Sequence, residues 1–94
     1  MKSSGLFFGY KDDGSVYLGY EDYDVEFFDG YDYEVTYILN RANFDILCQC
    51  LKIVGDQDVR DVLISTFGYY FDSIKFENFC QQNGIIFNRY IHIG

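Results

Sequence analysis

Residues Tyr17 to Leu39 read YLGYEDYDVEFFDGYDYEVTYIL, and the period of two in this stretch sets the fold class. From Asp22 to Phe28, Tyr23, Val25 and Phe27 point one way while Asp22, Asp24 and Glu26 point the other. From Tyr31 to Leu39, Tyr31, Tyr33, Val35, Tyr37 and Leu39 alternate with Asp32, Glu34, Thr36 and Ile38. Such alternation marks half-buried strands. Asp29-Gly30 between them is a hairpin signal, since glycine accepts positive φ without steric cost. A loop of these two residues alone would place Glu26 opposite Tyr33 and mix acids with aromatics on each face. A loop of Asp29, Gly30 and Tyr31 instead sets Val25 opposite Val35, Phe27 opposite Tyr33 and Tyr23 opposite Tyr37, with Glu26 opposite Glu34 and Asp24 opposite Thr36 behind. A one-residue slip exchanges the faces, so the odd loop, with a bulge, is expected.

The same stretch carries the charge. Between Asp12 and Asn40 stand nine carboxylates and no Lys or Arg, while the rest of the chain nets +1 against a total of −8. Tyr17, Tyr20, Tyr23, Tyr31, Tyr33 and Tyr37 are threaded among them. Like charges opposite each other in a sheet cost from a few tenths to about 1 kcal/mol. Folding alone gives no reason to set Glu26 against Glu34 with Asp22 and Asp24 nearby. The segment therefore reads either as a solvated face that aids solubility or as a docking face for a basic partner. The residues expected to form such a face are Asp22, Asp24, Glu26, Asp29, Tyr31, Asp32 and Glu34.

Working outward, Leu6 to Tyr10 and Ser15 to Tyr20 flank Asp13-Gly14, a second hairpin signal that predicts Tyr10 opposite Tyr17 and Phe8 opposite Gly19. A turn at Glu21-Asp22 would then align Leu18 with Val25 and Val16 with Phe27, completing a four-stranded antiparallel meander. At Asn40, a good N-cap, the period becomes helical. Phe44, Leu47, Cys48, Leu51 and Val54 form one apolar stripe, and Gly55 is the expected stop. Asp56 or Asp58 caps a second helix with the stripe Val59, Val62, Leu63, Thr66 and Phe67. A third helix begins near Asp72 or Ser73, turns Phe76, Phe79 and Cys80 inward and ends at Gly84. Ile85 to Ile93 reads as a last strand. Grouped rather than alternating helices indicate an α+β fold: an N-terminal antiparallel meander, two to three helices on one face and a C-terminal strand.

A chain of 94 residues with 49 % apolar side chains buries roughly 60 to 65 % of its unfolded surface, enough for a single domain spanning 1–94. Met1 to Gly5 does not read as a secretion signal, and no apolar run approaches the ~20 residues of a membrane span. Cys48, Cys50 and Cys80 are odd in number and unpaired in spacing, which suits a reducing cytoplasm.

The chemistry of catalysis is not written in the chain. Cys48 and Cys50 lie ~200° apart around a helix and do not chelate one ion. His92 is the lone histidine and has no partner evident in sequence, so a structural role is expected. Ser65 and Ser73 lack nucleophile-elbow glycines, and Gly5, Gly9, Gly14 and Gly19 punctuate strands and turns rather than a phosphate loop. The acidic run lacks the ligand order of a calcium loop, and nothing distinguishes an acid from a base among its carboxylates as glycoside hydrolysis requires. No metal, cofactor or turnover is expected. A net charge of −8 opposes direct nucleic-acid binding, which needs cations to displace counterions. It suits instead a surface that meets the Lys and Arg side chains which otherwise hold phosphates, with tyrosines adding flat contact area.

The runs GYEDYDVEFFDGYDYEVTYILNRANFDILCQCL (Gly19 to Leu51) and FENFCQQNGIIF (Phe76 to Phe87) together resemble a pattern of small bacterial immunity proteins from contact-dependent growth inhibition systems. In that pattern an acidic, aromatic strand pair leads into an Asn-capped helix, and a short helix ends in Asn-Gly-Ile before a final strand. The resemblance covers about half the chain. It implies a cytoplasmic protein that binds a cognate toxin domain, commonly a nuclease, as a monomer in a one-to-one complex, and it brings no catalytic residues. Two other readings fit the residues: a phage-type nucleic-acid mimic that inhibits a host nuclease, and a small structural subunit that self-associates through an aromatic edge strand.

Overall fold

The computed structural model describes residues 5–22, 33–55 and 57–93, the side chains of Asp22 and Ile93 excepted. Three strands, β1 (Gly5–Tyr10), β2 (Val16–Asp22) and β3 (Tyr33–Leu39), are followed by the helices α1 (Arg41–Cys50), α2 (Val59–Phe67) and α3 (Ser73–Gln82), and then by β4 (Asn88–Ile93). The strands form one antiparallel sheet in the order β1-β2-β3-β4. The helices are inserted between two neighbouring strands and pack on one face, which is the expected α+β architecture.

Alternation puts Leu6 of β1, Val16 and Leu18 of β2, and Val35, Tyr37 and Leu39 of β3 on the covered face. There they form one cluster with Phe44, Leu47, Leu63, Phe67, Phe71, Phe76, Cys80 and Ile85. Tyr37 stands at its centre, fully buried, with its ring 4.9 Å from that of Phe76 and 5.1 Å from that of Phe87. Burying one such aromatic group stabilises the fold by roughly 1.5 to 3 kcal/mol.

The first hairpin is one residue out of the expected register. Tyr10 faces Val16 and Phe8 faces Leu18. The loop is Asp12-Asp13-Gly14, closed by the Lys11 amide donating to the Ser15 carbonyl, with Gly14 at φ +89°. A three-residue loop ending in a left-handed glycine is the alternative to the two-residue turn. It is reinforced by Asp13, which accepts from the Ser15 amide at 2.9 Å and from its hydroxyl. These bonds hold the Asp13 carboxyl below the usual carboxylate range. The slip also sets Val16 and Leu18 toward the core with Tyr10 and Phe8, the register the apolar face requires.

The pairing of β2 also differs from expectation. Leu18 lies beside Tyr37 and Val16 beside Leu39, not beside Val25 and Phe27. The expected pairs of Val25 with Val35, Phe27 with Tyr33, Tyr23 with Tyr37, Glu26 with Glu34 and Asp24 with Thr36 are absent. Both flanks of β3 are taken, Val35 by Tyr20 and Ile91, Tyr37 by Leu18 and Arg89. The pairing of β2 with β3 buries Leu18 against Tyr37. The expected Asp29-Gly30 turn lies outside the described residues. Tyr23 to Phe28, expected as a strand, lie outside the described residues.

Each helix begins as the sequence predicts. Asn40, Asp58 and Asp72 accept from the amides of Asn43, Arg60 and Lys75 at 2.9, 2.9 and 3.0 Å. Helix α1 ends earlier than its stripe suggested, at Cys50, because Lys52 takes φ +58° and the Lys52 and Ile53 amides turn back to the Gln49 and Cys48 carbonyls. This is a Schellman closure with lysine where glycine is usual. Val54 is consequently 69 % exposed rather than part of the core, and Gly55 lies beyond the helix. Helix α3 ends as expected, with Gly84 at φ +68° and the Ile85 amide donating to the Cys80 carbonyl.

Candidate functional site

Among the described residues, the three helices leave the other face of the sheet uncovered. Its residues are Phe7 on β1, Tyr17 and Glu21 on β2, Glu34, Thr36 and Ile38 on β3, and Asn88, Tyr90 and His92 on β4. Two glycines shape it. A Cβ on Gly19 would lie 1.9 Å from the Val35 carbonyl oxygen and 3.1 Å from the Phe7 ring, and one on Gly9 would strike the Tyr17 phenol. The rings of Phe7 and Tyr17, 6.1 Å apart, thus lie across backbone that carries no side chain. Aromatic cover over strand glycines is a recognised sheet device, and here it paves an exposed aromatic floor that continues to Tyr90, 57 % exposed.

At one end of this floor a row runs across three strands: Glu21 opposite Glu34, and Glu34 opposite His92. The like-charge pair anticipated between Glu26 and Glu34 is therefore present with Glu21 in place of Glu26. Thr36 donates its hydroxyl to Glu34 at 3.0 Å, steadying that carboxylate on the face. His92, which had no evident partner in sequence, lies beside an acid because β4 returns along β3. Of the residues expected to meet a partner, Glu34 lies on the open face and Asp22 is the last residue of β2. Asp24, Glu26, Asp29, Tyr31 and Asp32 lie outside the described residues.

A second feature was not read from sequence. On the helix side, α3 stands off from β3 and β4 and leaves a cleft of ≈ 340 Å³. Ile74, Glu77, Asn78 and Gln81 face it at spacings of three, one and three, a second helical stripe beside the buried one of Phe76 and Cys80. The Tyr37 hydroxyl reaches through the core to donate to Glu77 Oε2, and Arg89 Nη1 donates to the same oxygen at 3.1 Å. Burial and the neighbouring Glu77 raise the Tyr37 phenol far above its ordinary value, so it remains a donor at any physiological pH. The same carboxylate raises Arg89. The stripe was present in the sequence, but its charged partner Arg89 lies twelve residues away and reaches it only through the return of β4.

Burial raises the Cys80 thiol to about 12, and burial raises Cys48 as well, so these are unreactive packing groups rather than nucleophiles. Among the described residues no group of three or more His, Cys, Asp or Glu is placed to hold a metal ion, and no helix is long and apolar enough to cross a membrane. Comparison of the chain with protein-family models, with curated proteins and with solved structures finds no match in any of the three.

Proposed function

We propose that the protein is an inhibitor of the immunity type, which binds a basic toxin domain, a nuclease in the leading case, and neutralises it by covering its cationic surface. The observation that carries this reading is the sheet face that the helices leave uncovered, with Glu21 and Glu34 in register opposition beside an aromatic floor. Like charges directly opposite each other in a sheet cost up to about 1 kcal/mol, and Glu21 and Glu34 stand so on the face opposite the helices. A cationic partner gains from both carboxylates and from the flat contact area of Phe7, Tyr17 and Tyr90. The acidic sequence between β2 and β3 adds to the negative charge that steers encounter with a cationic partner. The inhibitor acts in the cytoplasm, without a cofactor and without turnover, as one copy per toxin.

Selection for survival in cells expressing a library of basic toxin domains identifies the partner. Titration of the purified pair should then abolish toxin activity near one equivalent, and separation of the two should restore it fully. Association should slow in the double variant Glu21→Gln, Glu34→Gln, and the difference should shrink at high ionic strength. Unchanged association at low salt in the folded variant, or a toxin that stays inactive after the inhibitor is removed, would refute the reading.

A further inference from the structure

The sheet has two outer strands, and the fold treats them differently. On β1 the Leu6 amide donates to the Tyr69 carbonyl at 2.8 Å, the Phe8 ring stacks on Phe44 at 5.7 Å, and a Cβ on Gly5 would strike the Tyr69 ring. Helix α1 and the turn after α2 thus close much of that edge. On β4 every residue from Asn88 to His92 is exposed, and among the described residues no strand lies beyond it. Hydrogen bonding in an antiparallel ladder alternates from residue to residue. Lys11 bonds toward Ser15 and Leu6 away from β2, and the registers carry that alternation across the sheet. Asn88, Tyr90 and His92 therefore turn their backbone groups to β3, and Arg89, Ile91 and Ile93 turn theirs outward. Proteins blunt such an edge with proline, lysine or a bulge. The chain has no proline, β4 has no lysine and pairs with β3 without a bulge, and Arg89 is drawn back to Glu77 on α3. Ile91, 55 % exposed, and Ile74, 74 % exposed, leave an apolar strip beside the unpaired backbone.

We infer that β4 pairs antiparallel with β4 of a second copy of this chain, joining two sheets into one. An edge of alternating amides and carbonyls is matched by another extended strand, and charge selects which strand. All fifteen carboxylates lie between Asp12 and Glu77, while residues 78–94 carry none and Arg89 is the only Lys or Arg among them. A basic partner meets a cation on this strand, and the nearby Glu77 is already paired with it. Two copies of net charge −8 repel each other, and β4 lets them meet through the segment that adds none of that negative charge. A dyad at Ile91 sets Ile91 opposite its own copy, Tyr90 opposite His92 and Arg89 opposite Ile93, and brings every outward residue of β4 into a hydrogen-bonded pair. A dyad at Arg89 would oppose two guanidinium groups, and one at Tyr90 would pair Ile93 with Phe87, outside the strand. Such a dyad stands perpendicular to the sheet, so the helices of both copies lie on one side and the two open faces join on the other. The inference goes beyond the inhibitor reading and does not rest on it. The pairing leaves Glu21 and Glu34 of each copy uncovered, which keeps one toxin per copy.

Sedimentation equilibrium of the full chain over about 1 to about 500 μM tests this, with dissociation expected on the order of tens of micromolar for an interface at the small end of the specific range. Added NaCl should tighten the dimer, since it screens two like-charged copies, the opposite of its effect on a basic partner. Ile91→Pro removes an outward amide and spares the ladder to β3. It should raise the dissociation constant at least about tenfold through the two hydrogen bonds lost per dimer. Ile91→Lys sets two like charges together at the dyad, should weaken the dimer to a similar degree, and serves if the proline variant does not fold. In amide exchange, Arg89 and Ile91 should slow as concentration rises, while Tyr90 and His92, already bonded to β3, change little. A wild-type chain that stays monomeric throughout the series would overturn the inference. So would a dimer that both variants leave intact, that salt weakens, or that protects amides elsewhere than on β4. Protection of the Arg89 and Ile91 amides only on adding hexalysine would overturn it too, by assigning the edge to a basic strand. A monomeric result leaves the inhibitor reading to its own test on Glu21 and Glu34.

Discussion

The two faces of one sheet have been put to opposite uses. Along β3, Val35, Tyr37 and Leu39 are buried under helices, while Glu34, Thr36 and Ile38, one step out of phase, look outward. The covered face carries the packing energy. The open face carries the like-charge pair and the exposed rings, which lower stability or leave it unchanged. Because alternate residues of the same strands serve each purpose, substitutions on the two faces should separate cleanly into those that unfold the protein and those that disarm it.

The largest effect is expected on the covered face. Phe76→Ala removes a fully buried ring and should lower the unfolding free energy by about 3 to 5 kcal/mol, whereas Tyr90→Ala on the open face should stay within about 0.5 kcal/mol. Urea midpoints for the pair check this, and equal losses would break the comparison. Next in size, Tyr37→Phe removes the hydroxyl bond to Glu77 while keeping the ring, and should cost about 1.5 to 3 kcal/mol, the range for a bond to a charged group. A loss near zero would show that Glu77 is held by Arg89 alone.

The covered face also sets an alkaline limit. The Cys80 thiol ionises at about 12 in the folded chain against an ordinary value of 9.0. The unfolded chain thus releases this proton first, so the thiol's contribution is whole below pH about 9 and declines as pH rises toward 12. The decline is at most about 1.4 kcal/mol per pH unit, and Cys80→Ala should flatten the slope of urea midpoint against pH over that window. An unchanged slope would place the thiol in contact with water. The smallest stability effect belongs to the open face. Glu34→Gln should raise stability by a few tenths to about 1 kcal/mol by relieving the opposition to Glu21, while slowing association with a basic partner. A loss of stability instead would mean that Glu34 serves the fold through Thr36.

The local signals in this chain were read where the chemistry is local. Helix starts at Asn40, Asp58 and Asp72, the stop at Gly84, and the inward residues Val35, Tyr37 and Leu39 of β3, Leu63 and Phe67 of α2, and Phe76 and Cys80 of α3 depend on residues within one turn or two of each other, and these appear as expected. The errors share one cause. The register of the first hairpin, the partner of β2 and the end of α1 were each decided by a choice between conformations of similar local cost, settled by what else became buried. Lys52 could take a left-handed conformation because the capping bonds and the packing of α1 offset its strain.

By itself, then, the sequence determined the α+β class, the Asn40 cap of α1, the inward residues Val35, Tyr37 and Leu39 of β3 and the concentration of negative charge ahead of α1, since composition, period and capping act over short range. Only the tertiary structure decided that Glu21 rather than Glu26 opposes Glu34, that His92 joins them, and that Tyr37, Glu77 and Arg89 meet at the base of a cleft. Each of those encounters joins residues far apart in the chain, and the closure entropy that permits many such pairings is overcome only when the whole core chooses one.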